Sequence, residues 1–186
     1  MGATAFNRLR QFNARSRATE RCELCGTELH NDHEHLLEVG ERRLICACGA
    51  CAMLFERTTT RKRVPRRVRL LNDFQMSNAQ WDALGIPINL AFFVNSTPHG
   101  RVVAYYPSPA GATESALDLE TWEDIGLAPD VEALLVNRAG PEYFVAPIDQ
   151  CYRLVGLIRT QWRGLSGGTQ VWVAIADFFN ELRRRA

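Results

Sequence analysis

The sequence predicts an α+β protein: a small N-terminal cysteine-rich module, then an antiparallel sheet covered by C-terminal helices. Three observations carry that expectation. Five of the six cysteines and three of the four histidines fall between Arg21 and Phe55. Runs of β-branched and aromatic residues come in two pairs, 88–95 with 101–106 and 132–138 with 143–146, each joined across Pro and Gly turn residues. Two stretches with apolar residues at three- and four-residue steps close the chain.

In chain order, residues 1–20 form a basic arm with Arg8, Arg10, Arg15 and Arg17 and little to bury. Arg10, Gln11 and Asn13 interrupt it before any apolar core of signal-peptide length. No run of about 18 apolar residues occurs, so no membrane span is expected. The expected location is the cytoplasm, where clustered cysteines favour metal binding over disulfides.

The module spans 21–58. Cys22 and Cys25 form a C-x-x-C pair followed by Gly26, and Cys48 and Cys51 form a second pair after 22 intervening residues. A tetrahedral ion takes about four thiolate or imidazole donors at roughly 2.0–2.3 Å. A C-x-x-C turn can aim two sulfurs at one point, and the following Gly lets the chain leave at positive φ. Two such turns predict a four-cysteine site, Cys22, Cys25, Cys48 and Cys51, for Zn2+ or, with the same ligands, Fe. Residues 41–47 read as a strand entering the second pair and 50–56 as a helix leaving it. That order suits a treble-clef-like fold and, nearly as well, a zinc-ribbon or rubredoxin-like one. Cys46 could replace Cys48 as a ligand; otherwise it is a small inward strand residue. His33 and His35 read as a solvated polar turn, with ligation by His33 as the alternative.

Residues 59–75 read as a basic linker. Seven of the thirteen positions in 57–69 are basic and Pro65 interrupts any helix. The stretch could meet nucleic-acid phosphates or an acidic protein face, or be a solvated connector; it holds no aromatic residue to stack on bases. Charge divides at this point. Residues 1–69 carry 14 Lys and Arg against 8 Asp and Glu, a net of +6, and 70–186 carry 8 against 13, a net of −5. Two regions with different partners, or two that attract one another, would produce that division.

The α+β domain is expected over 76–186. Ser77 and Gln80 form a capping-box signature for a short helix through Trp81 and Leu84. The two hairpins predict a four-stranded antiparallel sheet, with 107–113 (P-S-P-A-G-A-T) irregular between them and a short helix over 119–125. The carboxylates Asp118, Glu120, Glu123 and Asp124 read as its solvated face. His99 sits in a turn. Cys151 lies on the apolar face of a helix over 148–162 as a buried small hydrophobe. A last helix, with Thr169 as its expected cap, presents Val171, Ile175, Phe178, Phe179 and Leu182 on one face. No P-loop, G-x-S-x-G or G-x-G-x-x-G motif occurs, and no catalytic constellation is legible.

The segments R-C-E-L-C-G, R-R-L-I-C-A-C-G-A-C-A-M-L-F, Y-Y-P-S-P-A-G-A-T-E-S and D-V-E-A-L-L-V-N-R-A-G together resemble an uncharacterised bacterial family of actinobacterial type. That family is associated with [NiFe]-hydrogenase gene clusters. The resemblance covers most of the chain beyond the basic arm and implies an accessory role near hydrogenase assembly or electron transfer, with a protein partner. It supplies no catalytic residues.

The expected function is that of a non-catalytic zinc-binding accessory or maturation factor. The alternatives are a rubredoxin-like electron-transfer protein and a His-Asn-His-type nuclease using His33. Only Phe55 is near enough to cover an iron centre, which counts against the former. The latter lacks an Asn before the second cysteine pair and a His after Cys51.

Overall fold

The computed structural model describes residues 20–56, 58, 60–115 and 125–186. The basic arm through residue 19 and all but the last residue of the helix expected across 119–125, with the carboxylates Asp118, Glu120, Glu123 and Asp124, lie outside them.

Alternation along each strand decides the architecture. Strands β1 (Glu34–Glu38), β2 (Arg43–Ala47) and β3 (Arg61–Arg63) form an antiparallel sheet in the order β2-β1-β3. Its one face carries Leu36, Ile45 and Ala47, which pack with Cys22, Cys51 and Ala52 into a small separate core. Its other face carries Leu37 and Leu44 and meets the main core together with Val64. Successive side chains point to opposite faces of a strand, so β1 serves both. Between β2 and β3 runs the short helix α1 (Gly49–Phe55).

A second, six-stranded antiparallel sheet follows. It comprises β4 (Arg69–Leu70), β5 (Leu90–Ser96), β6 (Arg101–Ser108), β7 (Gly111–Glu114), β8 (Glu132–Asn137) and β9 (Glu142–Pro147), in the order β4-β9-β8-β5-β6-β7. Phe92, Leu135 and Phe144 point to the face covered by helices α3 (Ile148–Gln161) and α4 (Thr169–Arg185). Phe93, Leu134 and Val145 point the other way, under Trp81, Leu84 and Ile86. That second cover is the segment holding helix α2 (Asn78–Asp82), whose capping box is formed by Ser77 and Gln80 as the motif requires. A sheet buried on both faces reads as continuous apolar runs, which explains L-A-F-F-V in β5.

Four expectations are corrected. The sheet has six strands rather than four. The stretch 107–113 is not irregular: Ser108 pairs with Gly111 and β7 continues the sheet. The basic stretch 59–75 contributes β3 to one sheet and β4, paired with β9, to the other. Gly168, at φ 75, caps α4, and Thr169 is its first residue.

The two parts meet through a polar clasp as well as the shared core. Lys62 Nζ lies 2.7 Å from Asp130 Oδ2, which also accepts from the Thr97 hydroxyl at 2.6 Å, while Oδ1 accepts from the Thr97 amide at 2.8 Å. Asp130 is only 5% exposed and sits at φ 70, a conformation open to Asp and Asn and strained for residues without such a side chain. Burial pushes its carboxyl up, but Lys62 and Thr97 outweigh burial and hold it below the ordinary value. Its stabilising contribution is therefore present above about pH 4 and lost as pH falls through the lowered folded-state value. Asp130→Ala is expected to cost about 2–4 kcal/mol in urea unfolding. Asp130→Asn, which keeps an acceptor for Thr97, should cost less; equal costs would remove Thr97 and the backbone from the account.

Candidate metal centre

The first pair of cysteines is placed by backbone hydrogen bonds. The Gly26 amide donates to the Cys22 carbonyl at 2.8 Å and the Cys22 amide donates to the Thr27 carbonyl at 2.8 Å. Gly26, at φ 77, lets the chain turn back so that Arg21 and Glu28 bridge. The second pair is placed by α1. Cys48 is its N-cap, in extended conformation, with its Sγ 3.5 Å from the Cys51 amide. The β1–β2 hairpin holds the two turns against one another, and the Glu23 amide donates to the Cys46 carbonyl at 2.9 Å.

The result brings together the sulfurs of Cys22, Cys25, Cys48 and Cys51, all within 4.8 Å of one another. Cys25 Sγ and Cys48 Sγ are 3.7 Å apart. All six cysteines are free thiols. Cys22 and Cys51 are buried at the base of the cluster, and Cys25 is exposed at its rim. Four thiols in this arrangement match the donor set of a tetrahedral zinc or iron site, with separations that small side-chain adjustments bring to bonding range.

Cys46 and His33 are elsewhere. They gather with His35 into a second group whose ligand atoms also lie within 4.8 Å of one another. Neither belongs to the four-thiol cluster. Cys151, in α3, is fully buried as expected, and burial raises its thiol. His99 is held in its turn by Ser96, with Oγ 2.8 Å from Nδ1.

Sequence reasoning missed a partly open pocket beside the module. A cavity of about 260 Å³ is lined by Leu37, Val39, Arg42, Phe92, Tyr105 and Asp130 among others. The Arg42 guanidinium stacks over the Tyr105 ring at 5.1 Å and donates to its hydroxyl. Arg42 (φ 52) and Asp130 are the two non-glycine residues at positive φ among those described. Arg42 closes the turn between β1 and β2, its amide 3.4 Å from the Val39 carbonyl, whereas Asp130 is held by Thr97 and Lys62. Among the described residues no helix is long and apolar enough to cross a membrane.

The thiols differ in acidity. The Thr27 hydroxyl, its backbone amide and the thiols of Cys22 and Cys51 hold the Cys25 thiol down at about 6. Burial, with the neighbouring thiols, pushes Cys51 up to about 12. Burial also pushes Cys22 up, but the backbone amides of Cys48, Leu24 and Cys25 outweigh it and leave that thiol lowered.

A family model, described as a family of unknown function (DUF5947), matches residues 21–186. Comparison with curated proteins and with solved structures gives no match.

Without a bound ion, pH 7 lies above the Cys25 value and far below that of Cys51, which favours thiolate at the first and thiol at the second. In protein stripped of metal, iodoacetamide is therefore expected to modify Cys25 first, with a rate that rises as pH passes through about 6. Thr27→Val should move that rise to higher pH. Peptide mapping that finds all the cysteines following one pH profile would refute the assignment.

Proposed function

This chain belongs to the DUF5947 family of unknown function, and we propose that it is a non-catalytic accessory protein whose N-terminal module is folded around a structural zinc ion and recognises a protein partner. One observation carries the reading: four sulfurs from two distant turns converge on a single point. The core beneath them holds few large side chains, chiefly Leu36 and Ile45, too few for so short a segment to be stable alone. A structural zinc ion contributes about 10–16 kcal/mol of binding free energy that becomes folding free energy. The order of elements, a C-x-x-C turn, a β-hairpin and a helix opening on the second pair, supports the treble-clef-like reading. Closed four-ligand sites of this type hold structure and leave no position for substrate.

The partner surface we propose is the exposed side of α1, where Met53 and Leu54 are 67% and 74% exposed beside the cysteine pair. A [NiFe]-hydrogenase or its maturation machinery is the partner implied by the sequence resemblance. Nucleic acid has less support, because Arg61, Arg63 and Arg66 are engaged by Glu38, Glu34, Glu56 and Asp32 of this same chain.

Purified protein is expected to contain zinc. Chelation should release the amides of Leu36 and Ile45 to hydrogen exchange while those of Phe92 and Leu135 stay protected. A metal-free preparation with the four thiols titrating freely would end the proposal. A coloured one with bound iron and a reversible redox signal would replace it with electron transfer. Met53→Asp with Leu54→Asp should leave the zinc in place and abolish co-purification with hydrogenase subunits. If the wild-type chain carries zinc yet does not associate with them, the partner assignment falls and the structural zinc stands.

A further inference from the structure

We propose a second metal site, formed by His33, His35 and Cys46 on the opposite face of the β1–β2 hairpin from the four thiols. His33 and His35 are two residues apart, so their side chains share one face of the extended chain. Cys46 stands directly across from His35 in the antiparallel register. The three donor atoms lie within 4.8 Å of one another, against the separation of about 3.5 Å between ligands of a tetrahedral zinc ion.

The hydrogen bonds of the two imidazoles point to the same conclusion. Nδ1 of His33 is 2.9 Å from the His30 carbonyl oxygen and 3.5 Å from a Glu20 carboxylate oxygen. Both neighbours are acceptors, so Nδ1 carries the proton and Nε2 presents a lone pair. That Nε2 is buried with no hydrogen-bond partner, on a side chain only 7% exposed. His35 repeats the pattern, with Nδ1 2.9 Å from Asp149 Oδ2. An outer carbonyl or carboxylate that takes the Nδ1 proton is how proteins fix the tautomer and orientation of a metal-ligating imidazole. Cys46 is clamped in its turn, its amide donating to Glu23 Oε1 at 2.8 Å.

Two imidazoles and one thiolate suit a borderline divalent ion, with Zn2+ the best fit. Three protein donors leave a fourth position. His33 and His35 also line a cleft of about 560 Å³, with Asp32, Arg66, Gln150 and Arg153 around it, so that position is open to water or an exchangeable ligand. Asp149, in the first turn of α3, orients His35 from the main domain. The site is therefore coupled to the domain through the His35–Asp149 hydrogen bond, whereas among the described residues no such contact joins the four thiols to it.

Elemental analysis of the full chain, desalted after loading with zinc, tests the site separately from the first. Wild-type protein is expected to hold about two ions per chain, and His33→Ala with His35→Ala about one. About one ion in both proteins would overturn the second site and leave the first. About one in wild type and none in the variant would keep the second site and overturn the four-thiol reading. Because the paired variant also removes the His35–Asp149 contact, Cys46→Ser provides a second test with both imidazoles in place. In cobalt-loaded protein, the absorption added by the second equivalent should disappear in Cys46→Ser while that of the first persists. An unchanged two-equivalent titration in that variant would overturn the proposal.

Discussion

Strand β1 has two faces, and each is committed to a different half of the molecule. Leu36 belongs to the small core under the four thiols, and Leu37, one residue on, belongs to the main core. The same alternation sorts the polar residues. Glu34 and Glu38 share the side of Leu36 and meet Arg63, Arg66, Arg61 and Arg43. His35 shares the side of Leu37, and Val39 follows on that side to line the cavity with Arg42. A slip of one residue in register would exchange the faces and put carboxylates into the main core. The placement of both cysteine pairs, of the second donor group and of the module against the domain depends on that alternation.

What could be read from the sequence was whatever is governed by local spacing. Two C-x-x-C pairs define converging turns by themselves, the capping box at Ser77 and Gln80 formed as written, and the patterns of α3 and α4 gave their buried faces. What could not be read depends on distant pairing. The turn between Ser108 and Gly111 looked like a break because Pro107 precedes it and Pro109 lies within it. Yet Pro109 and Ala110 make the two-residue connection, and Gly111, the paired residue that follows them, takes the φ of 126 at which the chain re-enters the sheet. His33 and His35 looked like a solvated turn for the same reason. Only the β1–β2 register sets Cys46 opposite His35, and only the docking of α3 brings Asp149, 114 residues away, to its ring.

The basic stretch illustrates how composition can mislead about partners. Read alone, seven positive positions in thirteen suggest a surface for phosphates. In the fold, alternation in β3 sends Arg61 and Arg63 to the acidic side of β1 and Lys62 to Asp130 on the other. Exposed pairs of this kind are worth about 0–1 kcal/mol each. Their main effect is to neutralise the charge locally and to fix β3 in register. Lys62 with Asp130 differs because Asp130 is buried. This pair ties β3, and with it the sheet of the module, to the main domain through one buried carboxylate.

Two donor groups on opposite faces of one hairpin need not act alike. The four thiols draw on two turns and a helix end that all belong to the module, so an ion held there would order the module and do little to its docking. His35 is oriented by Asp149 in the first turn of α3, and α3 packs against the sheet through Leu154 and Ile158. Any change in the ligation of His35 is thus felt by the helix that covers the main sheet, through a single hydrogen bond to a half-buried carboxylate. The cavity at Arg42 and Asp130 lies on the same side of β1, between the same two bodies. A shift of the hairpin relative to α3 would change its volume, because its walls include Leu37 and Val39 from the module and Ile148 and Tyr152 from the helix. The face of β1 that meets the domain is therefore where a change in metal ligation would reach the rest of the protein.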